Sequence, residues 1–214
     1  MKKENVKQEV PKSRKEEIVY ATLALAAEKG LGAVSMQQIA DRVGITKASL
    51  YNHFSSRDQI IDAMYEILRE ASKNNIGISE FDYDKLVSGR ALSEVLKEVI
   101  SSYRGMINDP QMKLFYAVIM SERSINSEAA EIMVRETKTM IGATKVLFYA
   151  LQAKGVVEFE DPDAAAFSFA MGVHSILNYE MDLMQVGEKP EKDMMGDYID
   201  EFCRIYGAFP LGNK

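Results

Sequence analysis

Cysteine, histidine and long apolar runs are scarce in this sequence, and each scarcity excludes a class of protein. The 214 residues include one cysteine, Cys203, so no intrachain disulfide can form, which fits a reducing cytoplasm. The two histidines, His53 and His174, are too few to build a His/Cys zinc cluster. There is no Gly-x-Ser-x-Gly motif to carry a hydrolase nucleophile. No stretch offers about 18 consecutive apolar residues, so no membrane-spanning helix is expected. The charged N-terminus lacks the apolar run of a secretory signal.

Charge is distributed unevenly along the chain, whose formal net charge is −6. Residues 1–60 hold 10 Lys and Arg against 7 Asp and Glu, whereas residues 61–214 hold 16 against 25. A basic head on an acidic body suggests that only the head meets a polyanion. The alternative is a solvated N-terminal tail that carries early lysines.

The hydrophobic pattern is helical along most of the chain, which predicts an all-α fold. Residues 1–12 have the composition of a flexible tail. The predicted helices cover approximately 13–30, 35–44, 46–54, 56–74, 90–108, 111–124, 127–154, 162–186 and 190–208. Segment 75–89 has no clear period and is predicted to be a loop. The strand-like stretch 155–159 is too short and isolated to make a sheet.

Several helix starts carry capping signals. In a capping box, a serine accepts a hydrogen bond from a backbone amide of the first turn, and a Glu or Gln three residues later reaches back. The boxes are Ser13 with Glu16, Ser35 with Gln38, and Ser56 with Gln59. Two Asp-Pro pairs, Asp109-Pro110 and Asp161-Pro162, place a cap before a proline in the first turn.

The most informative stretch is 38–51, in which two short helices meet at Gly44. Ala40 is small where the two helices would cross, and Gly44 can take the positive φ that ends the first helix and turns the chain. The shared apolar seam is Ile39, Val43, Ile45 and Leu50. The polar side chains that remain outward on the second helix are Thr46, Lys47, Ser49, Asn52 and His53. This face suits the major groove of DNA, about 12 Å wide, although an ordinary helical hairpin gives the same pattern.

Residues 13–74 resemble the N-terminal domain of TetR-type transcriptional regulators. The resemblance lies in the phrase 35–54, above all in its ending Leu50-Tyr51-Asn52-His53-Phe54, and in Arg57-Asp58 beyond it. It implies an all-α protein with an N-terminal three-helix helix-turn-helix domain at 13–74 and a C-terminal helical ligand-binding and dimerisation domain at 75–214.

The resemblance also implies roles for individual residues. Ser35 would cap the second helix and touch a phosphate. Thr46, Lys47 and Ser49 would face the groove or its edge, and Asn52 would read a base edge. The sugar-phosphate backbone would be contacted by Tyr51, His53 and Arg57. Leu50 and Phe54 would belong to the core.

The C-terminal helices are rich in methionine and tyrosine, of which the whole chain has 13 and 10. Core filling is one explanation, and an adaptable ligand cavity is the other, because Met is flexible and polarizable. The candidate residues for a small-molecule site are Tyr103, Tyr116, Met120, Phe148, Met171 and His174. A histidine in so apolar a helix is more often a satisfied core residue.

Helix 162–186 carries two apolar stripes, whereas a helix that packs on its own domain with one side and faces solvent with the other needs only one. One stripe contains Phe167, Ala170, Met171 and His174. The other contains Phe169, Val173, Ile176 and Leu177, and we predict that this second stripe forms a dimer interface. The family resemblance implies the same kind of contact, a four-helix bundle made of two C-terminal helices from each protomer. A helix buried within its own domain is the alternative.

Together these features predict a cytoplasmic, homodimeric, sequence-specific DNA-binding regulator. Its partners would be a palindromic double-stranded DNA operator and an unknown small-molecule effector, which makes a ligand-responsive repressor the favoured interpretation. No cofactor, metal, membrane contact or enzymatic activity is expected. The alternative is a helical enzyme or small-molecule-binding protein whose helix-turn-helix is merely structural.

Overall fold

The structure is a computed structural model, and it describes residues 11–76 and 82–207. In these ranges the chain forms ten α-helices and a short 3-10 turn, Leu31–Ala33. The helices are α1 Arg14–Lys29, α2 Met36–Val43, α3 Lys47–Tyr51, α4 Arg57–Ile76, α5 Tyr83–Val87, α6 Leu92–Ile107, α7 Pro110–Glu122, α8 Ser127–Ala153, α9 Pro162–Gln185 and α10 Met194–Tyr206. The all-α prediction is therefore confirmed. The predicted tail at 1–12 lies almost wholly outside the described residues.

Helix starts follow the capping signals of the sequence. At α2, both halves of the capping box are present: the Gln38 amide donates to Ser35 Oγ at 3.4 Å, and the Ser35 amide donates to Gln38 Oε1 at 3.0 Å. Asp109 and Asp161 each accept two backbone amides of the following helix at distances between 2.9 and 3.1 Å. These bonds satisfy amide groups that have no partner inside the helix.

Two helix predictions differ from the structure. The segment predicted as a loop contains α5, whose first turn is capped by Asp82 through the Lys85 amide at 3.1 Å. Five residues are too few to show a helical period, and buried Leu86 and Val87 anchor the helix instead. The last helix starts at Met194 rather than at 190, because Asp193 supplies its cap through the Gly196 amide at 3.0 Å.

The chain divides into two compact units, residues 1–79 with 103–136, and residues 80–102 with 137–214. In the first unit, α1 packs against α2, α4 and α7, and α4 also packs against α7. These helices share one hydrophobic core, because each turns an apolar face inward. Its largest fully buried side chains include Tyr65, Phe115, Ile18, Leu23, Ile39, Leu50 and Met64.

The second unit has an aromatic core. The rings of Phe148 and Phe159 are stacked with centroids 4.8 Å apart, and Phe169 meets Phe202 edge-on at the same separation. Offset and edge-on ring pairs stabilise a core beyond the area they bury. Between α9 and α10, the Tyr198 hydroxyl donates towards the Ser168 and Phe169 carbonyls at 3.2 and 3.4 Å. The stretch 155–159 makes no strand in the described residues, as predicted, and contributes an isolated bridge between Val157 and Gly207.

Candidate functional site

The turn between α2 and α3 is fixed by Gly44. This residue has φ 74° and ψ 32°, in the left-handed region that favours glycine. The amide of Ile45 donates to the Ala40 carbonyl at 3.0 Å, and that of Gly44 donates to the Asp41 carbonyl at 3.2 Å. This bond pair is a Schellman motif, which ends a helix and redirects the chain. Ile39, Ala40 and Leu50 are fully buried, whereas Val43 and Ile45 of the predicted seam are half-buried and pack against the same core.

The side chains predicted to face DNA lie around α3. Thr46 caps α3 by accepting the Ser49 amide at 3.1 Å. Ser35, Thr46, Lys47, Tyr51 and Asn52 are exposed, and Ser49 and His53 are half-buried. We call these seven residues the polar face. As predicted, Leu50 and Phe54 lie in the core.

One basic side chain of this segment, Lys47, is available to an anionic partner. No acidic residue occurs between Asp41 and Asp58, a stretch that contains Arg42, Lys47 and Arg57. Lys47 has no acidic partner among the described residues. A phosphate therefore does not have to displace an existing ion pair in order to reach it.

Contacts behind the polar face fix its position on the first helix. Arg42 on α2 donates to both carboxylate oxygens of Glu28 on α1, at 2.9 and 2.7 Å. The Lys15 ammonium of α1 lies 5.6 Å from the centre of the Phe54 ring, within cation–π range. The Arg42–Glu28 pair and the Lys15–Phe54 contact together restrict the orientation of this segment more than either contact would alone.

Arg57 is the exception among the predicted DNA contacts, because its guanidinium is held inside the protomer. It donates to the Leu31 carbonyl at 2.7 Å, pairs with Glu128 at 3.3 Å and pairs with Asp58 at 3.0 Å. Its side chain is only 22% exposed. In this structure Arg57 ties the start of α4 to the first turn of α8, and its predicted phosphate contact stays a prediction.

Leu31, whose carbonyl accepts from Arg57, also donates its amide to Glu122 at the end of α7 at 2.5 Å. Leu31 is thus held through both its amide and its carbonyl by groups that lie near the α7–α8 turn. Burial raises the pKa of Glu128, although Arg57 beside it acts in the opposite direction. The turn that precedes α2 is therefore coupled to the α7–α8 corner of the same unit.

The predicted ligand residues divide between the two units. Tyr103, Tyr116 and Met120 belong to the first, whereas Phe148, Met171 and His174 belong to the second. Phe148 is fully buried in the aromatic core, and Met171 and His174 are half-buried on α9. The structure thus brings only the two tyrosines into one described polar cluster, and the prediction of the ligand site stays a prediction.

That cluster centres on a residue that the sequence reasoning missed. Glu136 on α8 is 1% exposed, and its Oε1 accepts from the Tyr103 hydroxyl at 2.7 Å and from the Tyr116 hydroxyl at 3.3 Å. Burial, assisted by the negative charge of Glu136, raises the pKa of both phenols well above the ordinary value. The sequence carries only a weak signal that Glu136 is buried: it lies four residues after Ile132 and three after Met133, on the apolar side of its helix.

The predicted dimer stripe on α9 is largely covered by its own chain, and its role in a dimer stays a prediction. Phe169, Val173 and Leu177 are buried by their own chain, at 3%, 2% and 7% exposure, and Ile176 is half-buried. The periodicity showed two stripes but not which of them the chain itself covers. Phe167, on the other stripe, is 53% exposed. It lies on the opposite side of the helix, together with half-buried Met171 and His174.

The part of the chain that the structure describes contains neither a metal-binding cluster nor a membrane-spanning helix. No group of three or more His, Cys, Asp or Glu side chains in 11–76 and 82–207 could hold a metal ion. In the same ranges, no helix is both long enough and apolar enough to cross a membrane.

Two family models match this chain. Residues 18–64 match the model of bacterial regulatory proteins of the tetR family. Residues 94–208 match the model of the AefR-like transcriptional repressor C-terminal domain. Between them they include α2, α3 and most of the helices that follow.

Individual proteins are similar over part or all of the chain. The HTH-type transcriptional regulator AcrR of Shigella flexneri is 25% identical over 126 residues, 59% of this chain and 56% of AcrR. The chain thus spans about half the length of this curated relative. The structure of the flavonoid-responsive regulator FrrA is 25% identical, with a TM-score of 0.67, and the match covers 93% of this chain and 99% of FrrA. The SmeT–triclosan complex gives the same TM-score at 15% identity, covering 93% and 94% of the two chains.

Proposed function

Because the chain belongs to the tetR family of bacterial regulatory proteins, we propose that it is a transcriptional repressor that binds operator DNA as a homodimer and responds to a small molecule. The observation that carries the proposal is the polar face, which the Schellman turn at Gly44 presents to solvent without acidic neighbours. Binding DNA places its action in the cytoplasm, and no catalytic step is part of it.

The polar face supplies both kinds of DNA contact. Ser35, Lys47, Tyr51 and His53 carry groups that bind phosphate oxygens, and such contacts position a protein without reading sequence. Thr46, Ser49 and Asn52 can donate to and accept from base edges in the major groove. Arg57 is left out of this set, because its guanidinium supports α4 from within the protomer.

The proposed homodimer uses exposed apolar side chains of α8 and α9. Val146 and Tyr149 on α8 are 52% and 51% exposed, and Phe167 on α9 is 53% exposed. Asp163 joins the two helices, since it pairs with Lys145 at 2.8 Å and accepts from the Tyr149 hydroxyl at 3.2 Å. We name Val146, Tyr149 and Phe167 the α8–α9 surface. Burying it against a second copy removes apolar area from water and keeps the interface self-complementary.

The effector proposal draws on the similar proteins. The name of FrrA calls it flavonoid-responsive, and SmeT was solved with triclosan. Both descriptions refer to small molecules with aromatic rings. For this chain we propose a small-molecule effector that acts through the helices after α4.

Selection from a pool of random duplexes, followed by sequencing of the bound DNA, tests the proposed function. A dimer with two recognition helices should enrich a pseudo-palindrome whose half-sites lie about 34 Å apart or at a similar helical repeat. Lys47→Ala should weaken binding and reduce the salt dependence, since a phosphate contact is lost. Lys138→Ala, at an exposed lysine of α8, is the matched control. A pool that stays unenriched would favour the alternative of a merely structural helix-turn-helix.

A further inference from the structure

The carboxylate of Glu136 is only half satisfied. Its Oε1 accepts from two phenols, whereas its Oε2 is shielded from solvent and accepts no hydrogen bond from the described residues. Buried polar atoms almost always have a partner, and an orphaned one costs free energy. An unpaired acceptor inside a well-packed unit therefore marks a place where a donor is missing.

The neighbouring tyrosines do not supply the missing donor. Tyr103 on α6 and Tyr116 on α7 both bind the other oxygen, Oε1. Tyr65 on α4 is also buried close to the carboxylate, and burial together with the charge of Glu136 raises the pKa of this phenol. All three tyrosines therefore stay neutral near pH 7. They can donate hydrogen bonds, but they bring no positive charge to the carboxylate.

We propose that Glu136 Oε2 is the anchor for a protonated amine on an aromatic or aliphatic effector, an inference that rests on the proposed function. An ammonium group supplies a charged donor to this unpaired, buried carboxylate oxygen. Tyr65, Tyr103 and Tyr116 come from three helices and bring aromatic side chains to the carboxylate. The ligand class is therefore an organic cation with an apolar body.

The side chains of the core around Glu136 can adapt to the apolar part of the proposed effector. The hydrophobic core of the first unit contains Met64, Met112 and Met133 in addition to Tyr65 and Tyr116. Methionine side chains are flexible and polarizable, and they repack around ligands of different outline more readily than branched side chains do. The amine would thus be fixed by Glu136, and its apolar part would be accommodated by rearrangement of these methionines.

Calorimetric titration with two matched probe series tests the proposal. One series is benzylamine, phenethylamine, 3-phenylpropylamine and 4-phenylbutylamine, which are protonated at pH 7, and the other is the four corresponding alcohols. At least one amine should bind the full chain about tenfold more tightly than its alcohol, because a hydrogen bond to a charged group is gained. If no amine binds more tightly than its alcohol, the proposal is overturned.

Two variants of α8 locate the effect. Glu136→Gln keeps the acceptor for both tyrosines but removes the charge, so the preference for the amine should disappear. Glu131→Gln removes the same charge from an exposed position of the same helix and should keep the preference. If Glu136→Gln keeps it as well, Oε2 is satisfied by a water molecule or by packing alone, and the proposal is wrong.

A measurement on the wild-type protein covers the case in which Glu136→Gln fails to fold. Nuclear Overhauser contacts should join the methylene next to the amine to the rings of Tyr103 and Tyr116. A bound amine without these contacts lies elsewhere, which overturns the proposal. The DNA selection is carried out without amines, so its failure refutes the proposed function separately from the ligand site.

Discussion

The surroundings of a side chain decide what its charge does in this protein. Lys47 and Arg57 both lie in a segment without acidic residues, and the family resemblance places both at DNA. Lys47 is exposed and has no acidic partner among the described residues, whereas Arg57 hydrogen-bonds the Leu31 carbonyl and pairs with Glu128. The first side chain is available to a phosphate, and the second stabilises the protomer.

Three tyrosines of the first unit make stability sensitive to alkaline pH: Tyr65 and Tyr116 are buried, and Tyr103 is half-buried. The pKa values of Tyr65, Tyr103 and Tyr116 are raised in the folded protein, first by burial. Above pH 10 the unfolded chain loses these phenolic protons and the folded protein keeps them. The contribution is thus complete below pH 10 and is lost as the pH rises towards the folded-state pKa values. Each tyrosine should lower the unfolding free energy by about 1.4 kcal/mol per pH unit in this range.

Urea denaturation between pH 9 and pH 11.5 measures this effect. Tyr103→Phe should give a shallower decline above pH 10 than the wild type, by the slope of about one group. Tyr179→Phe, at a tyrosine that is 53% exposed, is the control and should leave the decline unchanged. Equal slopes for all three proteins would contradict the burial of Tyr103.

At the scale of elements, the packing of α10 on α9 requires a residue without a side chain, Gly172. A Cβ placed at Gly172 would overlap the Tyr198 phenol, which lies across this point of α9. At Gly142 on α8 a Cβ would meet nothing within 4 Å. The same substitution therefore meets an obstacle at Gly172 and none at Gly142.

Gly142→Ala should stabilise the protein by about 1 kcal/mol, because alanine favours a helix over glycine. Gly172→Ala gains the same propensity but should be less stable than Gly142→Ala by about 1–3 kcal/mol, since Tyr198 must move. Thermal unfolding of both variants beside the wild type measures the difference. Equal stability of the two variants would show that Tyr198 is not packed on Gly172.

The sequence predicts element types better than it predicts which faces are buried. Caps such as Ser35, Thr46 and Asp161 mark their helices correctly because a cap is a local contact between residues two or three positions apart. The two stripes of α9 are also visible, but which of them is covered depends on contacts with α8 and α10, such as Phe148–Phe169 and Phe169–Phe202, that no local pattern shows. Glu136 was missed for the same reason, since its two tyrosine partners come from α6 and α7.

At the scale of the whole molecule, the proposed dimer makes its own prediction. Phe167→Asp should yield monomers, because the dimer would have to bury an unpaired carboxylate in the α8–α9 surface. Ile125→Asp, at a position that is 89% exposed on the α7–α8 turn, is the control and should keep the dimer. Sedimentation equilibrium at micromolar concentration distinguishes the two results. A wild-type protein that is already monomeric would remove the basis of the prediction.

DNA recognition through the polar face is the central claim, and one binding titration tests it most directly. A fluorescent duplex from the selection is titrated with the wild type, Tyr51→Ala and Tyr179→Ala. The two tyrosines are 46% and 53% exposed, but only Tyr51 belongs to the polar face. Tyr51→Ala should weaken binding about tenfold through loss of a hydrogen bond to charged phosphate, whereas Tyr179→Ala should bind like the wild type. Equal affinities of all three proteins would contradict the claim that this face reads DNA.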